Sequence, residues 1–151
     1  MALDDDIRVL GGVALFEGFS QEQLRLLAFG AENLSVAAGR LIYAEGDTAD
    51  CAFVVVSGQV KLVHGAGAQA TQFKLLSTNA LLGELALIAD TTRPTSAIAA
   101  SGVELIRLNR RLFRRILEEY PHLAALLHQR ISEELQEMVR RIARLSYRFR
   151  D

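Results

Sequence analysis

Between residues 83 and 93 the chain reads Gly-Glu-Leu-Ala-Leu-Ile-Ala-Asp-Thr-Thr-Arg, and its two ends carry the residue types that hold a sugar phosphate. Gly83 lets the backbone approach a ligand closely, and the residues after it can form a short helical turn whose unpaired N–H groups face an anion. Glu84 can accept hydrogen bonds from ribose hydroxyls. Arg93, nine residues further on, can grip the phosphate, because a planar guanidinium donates two parallel charge-assisted bonds. Thr95 and Ser96 add hydroxyls just beyond it. Plainer readings stand beside these: Glu84 as a solvated carboxylate that the helix dipole favours at the start of a turn, and Arg93 as a surface arginine in a loop, with Asp90 as its ion-pair partner.

The surrounding elements would have to position these groups. Ile7, Leu10, Val13 and Ala14 share a helical face, and Ser20 with Gln23 fits a capping box that opens a second helix carrying Leu24, Leu27 and Ala28. From about Asn33 the pattern becomes short β-branched and aromatic runs separated by Gly39, Gly46, Gly58, Gly65, Gly67 and Gly102, which predicts an all-β roll or barrel. The continuously apolar run Phe53 to Val56 belongs in the core. A hairpin around Gly65 and Gly67 is expected to form a flexible tip. After Leu108, Asn109 can cap a helix bearing Leu112, Phe113, Ile116 and Leu117, and Pro121 marks a break before a longer helix. In that last helix Ile131, Leu135, Met138, Ile142, Leu145 and Phe149 make a heptad seam. The seam fits either dimerisation or packing within one chain, and its length beyond a small barrel favours a homodimer through residues 131–149.

At 151 residues the chain suits one domain with a single core, divided into N-terminal helices (1–32), a β-roll (33–108) and C-terminal helices (109–151). No run of 18 apolar residues argues for a membrane span, and the acidic start at Met1 to Asp6 does not read as a signal peptide, so a cytoplasmic location is expected. The lone cysteine, Cys51, reads as a buried structural thiol. Residues 1–106 carry 6 basic and 12 acidic side chains and residues 107–151 carry 11 basic and 6 acidic ones, giving about −6 and +5. An acidic roll with a basic tail can self-associate or meet an acidic partner. No convergent set of acids, bases or metal ligands can be assembled. His64, His122 and His128 lack metal-ligand spacing, so neither an enzyme nor a metal site is expected. Arg140, Arg141, Arg144, Arg148 and Arg150 make a basic end, but no recognition helix can be placed after it, which argues against DNA binding.

The stretch from Gly83 to Arg93 resembles the phosphate-binding cassette of the cyclic-nucleotide-binding domain family, which includes catabolite activator protein and the regulatory subunits of cyclic AMP-dependent kinase. Similarity extends to Leu15-Phe16-Glu17-Gly18-Phe19-Ser20, to Ile42-Tyr43-Ala44-Glu45-Gly46-Asp47 and to Phe53 through Val60. The resemblance implies a cyclic-nucleotide-binding β-roll (a double-stranded β-helix or jelly roll) with N-terminal helices and a long C-terminal helix closing over the pocket. It also implies a ligand, cyclic AMP or alternatively cyclic GMP, with Glu84 on the ribose, Arg93 on the phosphate, and the Leu85 and Ala86 N–H groups in the cradle, their side chains pointing to the core. No other cofactor is required.

Three departures bear on affinity. Relatives follow the arginine with a small residue whose N–H meets the phosphate, whereas Pro94 has none. A charge-assisted donor lost and not replaced costs roughly 1.5–3 kcal/mol, although Thr95 and Ser96 offer compensating hydroxyls. A hydroxyl directly after the arginine also favours cyclic GMP in relatives, so its absence points to cyclic AMP. The long-helix positions that read the base fall on Met138 and Val139, which pack but do not hydrogen-bond. Asn79 stands where glycine is common, and asparagine tolerates the positive φ required there. The leading expectation is a sensor that signals through its last helices to a downstream protein. The alternatives are a dimerising interaction module that has lost nucleotide binding and, with less support, a truncated transcription regulator.

Overall fold

The computed structural model describes residues 2–65 and 70–148, with the side chains of Ala2, Phe73, Met138 and residues 141–148 outside that description. The chain opens with α1 (Ala2–Gly11), a 3-10 turn at Ala14–Phe16 and α2 (Gln21–Gly30). The capping box opens α2 as its sequence predicts: Ser20 Oγ accepts from the Gln23 N–H at 3.1 Å, and the Gln23 side chain accepts from the Ser20 N–H at 2.8 Å. Two backbone donors that the helix itself cannot pair are thereby satisfied.

The β-roll follows as β1 (Glu32–Val36), β2 (Leu41–Tyr43), β3 (Thr48–Ala49), β4 (Cys51–Ser57), β5 (Val60–His64), β6 (Thr71–Leu76), β7 (Leu81–Leu82), β8 (Thr91–Thr92), β9 (Ser96–Ala99) and β10 (Val103–Asn109). All pairings are antiparallel. One sheet runs β1-β10-β4-β7, a second β2-β9-β5-β6, and β3 pairs β8. A double-sheeted roll with flanking helices is thus the observed fold. β5 and β6 form the predicted hairpin, whose tip at Gly67 lies outside the described residues.

Strand β4 explains its own composition. Ala52 and Val54 face the helices, where they pack with Leu10, Leu27, Phe113 and Ile106, while Cys51, Phe53 and Val55 face the opposite sheet among Val60, Ala97 and Leu105. Side chains alternate across a strand, so a strand buried on both faces reads as an unbroken apolar run.

Asn109 ends β10 and caps α3 (Arg110–Glu119), its Oδ1 accepting from the Leu112 N–H at 2.8 Å. Pro121 then starts α4 (Pro121–Arg148). Leu123, Leu127 and Ile131 are buried in the chain's own helical core. Ile131, expected to open the seam, is thus a core residue, whereas Leu135 is 45 % and Val139 57 % exposed. Of the remaining seam and basic positions, the side chains of Met138, Arg141, Ile142, Arg144, Leu145 and Arg148, and Phe149 and Arg150 as a whole, lie outside the description. No helix among the described residues is long and apolar enough to cross a membrane.

Candidate functional site

Gly83 sits between β7 and the 3-10 turn Glu84–Leu87, in the left-handed region at φ 74° and ψ 38°. A β-carbon there would be strained by the backbone and would collide with Arg93 Nη1. Glycine is thus required twice over, for the turn and for the approach of the guanidinium. Asn79 also takes a positive φ, 73°, before β7.

Arg93 is not the surface residue of the plainer reading: it is 5 % exposed. Its backbone is fixed by exchange with the Gly46–Asp47 turn, the Arg93 N–H donating to Asp47 O and the Gly46 N–H to Arg93 O, both at 2.8 Å. Its guanidinium carbon lies 4.3 Å from the centre of the Tyr43 ring and 5.8 Å from that of Phe53. Nη2 donates to the Cys51 carbonyl at 2.8 Å and to Cys51 Sγ at 3.3 Å. Nη1 is buried with no hydrogen-bond partner among the described residues. Burying a guanidinium nitrogen unpaired is costly, and this one points at the backbone of Gly83, where an anion would be held.

Asp90 does not pair with Arg93. It meets Arg110 Nη2 at 2.8 Å, and Arg110 Nη1 donates to the Ala89 carbonyl at 2.6 Å. The first residue of α3 thus holds the end of the cassette turn and takes up the Asp90 carboxylate. The Ala86 N–H donates to the Gly83 carbonyl at 3.1 Å within the turn, so it is not an idle donor. The Ala86 side chain is buried, and Leu85 packs against the helical core. The Ser96 hydroxyl accepts from the Glu45 N–H at 2.9 Å and braces that loop. Gly83 and Arg93 therefore meet beside Glu84, while the hydroxyl of Ser96 is engaged elsewhere and Pro94, exposed, adds no N–H.

Three residues outside the sequence-predicted set shape the site. Tyr43 stacks on Arg93, and burial pushes its phenol up to about 12 although the guanidinium pulls the other way, so it stays a neutral ring under the cation. Cys51 supplies the carbonyl that anchors Nη2. Glu134, from α4, reaches the cassette: desolvation, then a hydrogen bond to Glu84 and its charge, raise its carboxyl to about 7, with Lys74 opposing. The Glu134 side chain remains exposed to solvent. α4 is pinned lower down by Arg130, whose Nη1 donates to the carbonyls of Leu15 at 2.8 Å and Glu17 at 2.7 Å. None of these partners is legible locally, because each comes from a distant element.

The site is thus a turn of a two-sheeted roll at which the left-handed Gly83 and the buried Arg93 guanidinium face each other. Residues 33–120 match the cyclic nucleotide-binding domain family, and the chain belongs to that family, as a regulatory domain. A cyclic nucleotide-binding-like protein from Brucella abortus is similar in structure, with a TM-score of 0.69 and 53 % identity, covering 76 % of this chain and 99 % of that one. The cyclic AMP receptor protein of Thermus thermophilus is 31 % identical over 127 residues, 81 % of this chain and 59 % of that protein. The lysophospholipase nte1 of Aspergillus niger is 28 % identical over 112 residues, which span 74 % of this chain and only 7 % of the lipase.

Proposed function

We propose that this domain is a sensor that binds cyclic AMP in preference to cyclic GMP and passes occupancy on through α4. The observation that carries the reading is Arg93 Nη1, a buried guanidinium nitrogen with no partner, aimed at the left-handed Gly83. A cyclic phosphate there would satisfy it. Glu84 would take the ribose hydroxyls, with the Leu85 and Ala86 backbone completing the cradle. The proposed preference for cyclic AMP rests on Pro94, which cannot offer the hydroxyl that favours guanine.

Transmission follows from the Glu84–Glu134 contact. Ribose hydroxyls and Glu134 compete for the same carboxylate, so ligand would change what α4 gains by lying against the cassette and bias its position. The exposed Leu135 and Val139 on α4 support homodimerisation, which would give the movement a second copy to act on; the downstream protein, in the cytoplasm on this reading, would meet these helices. Thr95 would add its hydroxyl to the ligand, and Ser96 would join only by giving up the Glu45 N–H.

A second reading is a dimerising interaction module without useful nucleotide affinity. It is favoured by the engaged Ala86 N–H and Ser96 hydroxyl together with Pro94. Calorimetric titration with cyclic AMP and cyclic GMP separates the two: the sensor gives saturable heat, tighter for cyclic AMP, and Arg93→Met abolishes it while the fold persists. Absence of heat and of thermal stabilisation at millimolar nucleotide refutes the sensor and leaves the module.

A further inference from the structure

β1 is an edge of one sheet and β2 an edge of the other, and both line a cavity of about 360 Å³ that is open to solvent on one side. That volume lies within the range of small-molecule sites. The apolar wall comes from Leu34 and Val36 of β1, Leu41 and Ile42 of β2, Phe53 of β4 and Leu105 of β10. Leu34 and Val36 alternate with the exposed Asn33 and Ser35, as the inward face of a strand does, and with Ile42 they pack against the inter-sheet core. The interior of a small roll is ordinarily filled by side chains to crystal-like density. Here these three inward side chains are only half-buried, and Leu41 beside them is 55 % exposed. Volume and exposure agree on an unfilled end of the core. It is separate from the anion cradle, for Arg93 borders it but neither Gly83 nor Glu84 does.

The other end of the cavity is polar, formed by Asp47, Thr48, Asp50 and Arg107. Its charges are already matched. Arg107 pairs with Glu32 at 3.3 Å and Asp50 at 3.9 Å, and the Asp47 carboxylate accepts from the Ala44 N–H at 3.1 Å. The Thr48 hydroxyl, by contrast, has no hydrogen-bond partner among the described residues. We infer that this inter-sheet cavity is a second binding site, for a small uncharged amphiphile whose apolar tail fills the space between β1 and β2 and whose oxygen head meets Thr48. At roughly 30 Å³ for a water-sized group, the space takes about ten non-hydrogen atoms. The tail is drawn in by the apolar surface it removes from water. A charged head would leave water for a polar end with no free counter-charge, which disfavours it. Occupancy requires no nucleotide.

The test titrates the methyl-labelled native chain with 1-octanol and follows the methyl resonances by NMR. Shifts should saturate at one octanol per chain, with half-saturation at roughly 0.1–1 mM for about ten well-placed atoms. They should centre on Leu34, Val36, Leu41, Ile42 and Leu105. Octanoate and octylamine should bind at least about tenfold more weakly; tighter binding of either overturns the ligand class. Val36→Phe fills the space from β1 and should lose octanol while keeping the melting temperature. Should that chain not fold, Leu41→Glu, at an exposed position, puts a charge at the mouth and should weaken octanol by a similar factor. Shifts that grow linearly without saturating, or that centre on Leu135 and Val139, overturn the inference, as does undiminished binding by folded Val36→Phe. Displacement of octanol by cyclic AMP, mole for mole, also overturns it, because the cavity would then be part of the nucleotide site. Failure of the chain to bind cyclic AMP refutes the sensor reading instead, and the octanol titration still decides whether the cavity is a site.

Discussion

Replacing Gly83 by alanine tests how the cradle is built. At φ 74° an L-residue costs about 1–2 kcal/mol of backbone strain. The new methyl also occupies the position of Arg93 Nη1. A long side chain ordinarily swings aside cheaply, but this one is held by the Cys51 carbonyl at 2.8 Å and by the Tyr43 ring at 4.3 Å. Displacing it forfeits a charge-assisted hydrogen bond of about 1.5–3 kcal/mol and a cation–π contact of about 0.5–2 kcal/mol. Some of that loss is recovered as Nη1 reaches water, which leaves about 2–4 kcal/mol in all for Gly83→Ala. Arg93→Met, which removes a partly unpaired buried cation, should cost under about 2 kcal/mol. In the Arg93→Met background Gly83→Ala should cost only the backbone share, so a double-mutant cycle by urea unfolding should give a coupling of about 1–2 kcal/mol. Additive costs would refute the reasoning, for they would mean that the guanidinium does not lie over Gly83.

Three further outcomes are expected. Glu134, raised from 4.5 to about 7 beside Glu84, binds its proton more tightly in the folded chain, so its contribution is fully present below about pH 4.5 and is lost as pH rises through 7. Because the side chain is partly solvated, the effect is discounted to about 1 kcal/mol or less, and wild type minus Glu134→Gln should lose up to about 2–4 °C of melting temperature between pH 5 and 8; a flat difference would remove the carboxyl pair. Asn109→Ala deletes the α3 cap and should cost about 1 kcal/mol in urea unfolding, whereas Asn109→Ser should largely restore it. Leu135→Asp should shift sedimentation from dimer to monomer if α4 pairs subunits, and an unchanged mass would exclude that surface.

Local chemistry was readable from the chain, and cross-chain placement was not. The Ser20–Gln23 box, the Asn109 cap and the break at Pro121 each depend on residues a few positions apart, so composition and spacing suffice. The apolar run of β4 gave away its burial because both of its faces are covered. Gly83 and Arg93 were identifiable as residue types, yet nothing local reveals that Arg93 is nearly buried or that it is anchored on Cys51, 42 residues away. Asp90 looked like its partner by proximity, but Arg110 reaches it first. Ile131 fits the heptad by period, while the packing of α4 on the helical core, a tertiary property, buries it.

Arg110 gives the loop between the cassette turn and Arg93 a mechanical character. At one end Ala89 and Asp90 are fastened to the first residue of α3; at the other, Arg93 is fastened to the Gly46–Asp47 turn and, through Cys51, to β4. The short span between these anchors acts as a strap of fixed length. On the proposed reading, a ligand that pulled on Arg93 would pull on the root of α3, and slack introduced into the strap would leave the pocket standing while disconnecting it from the helices.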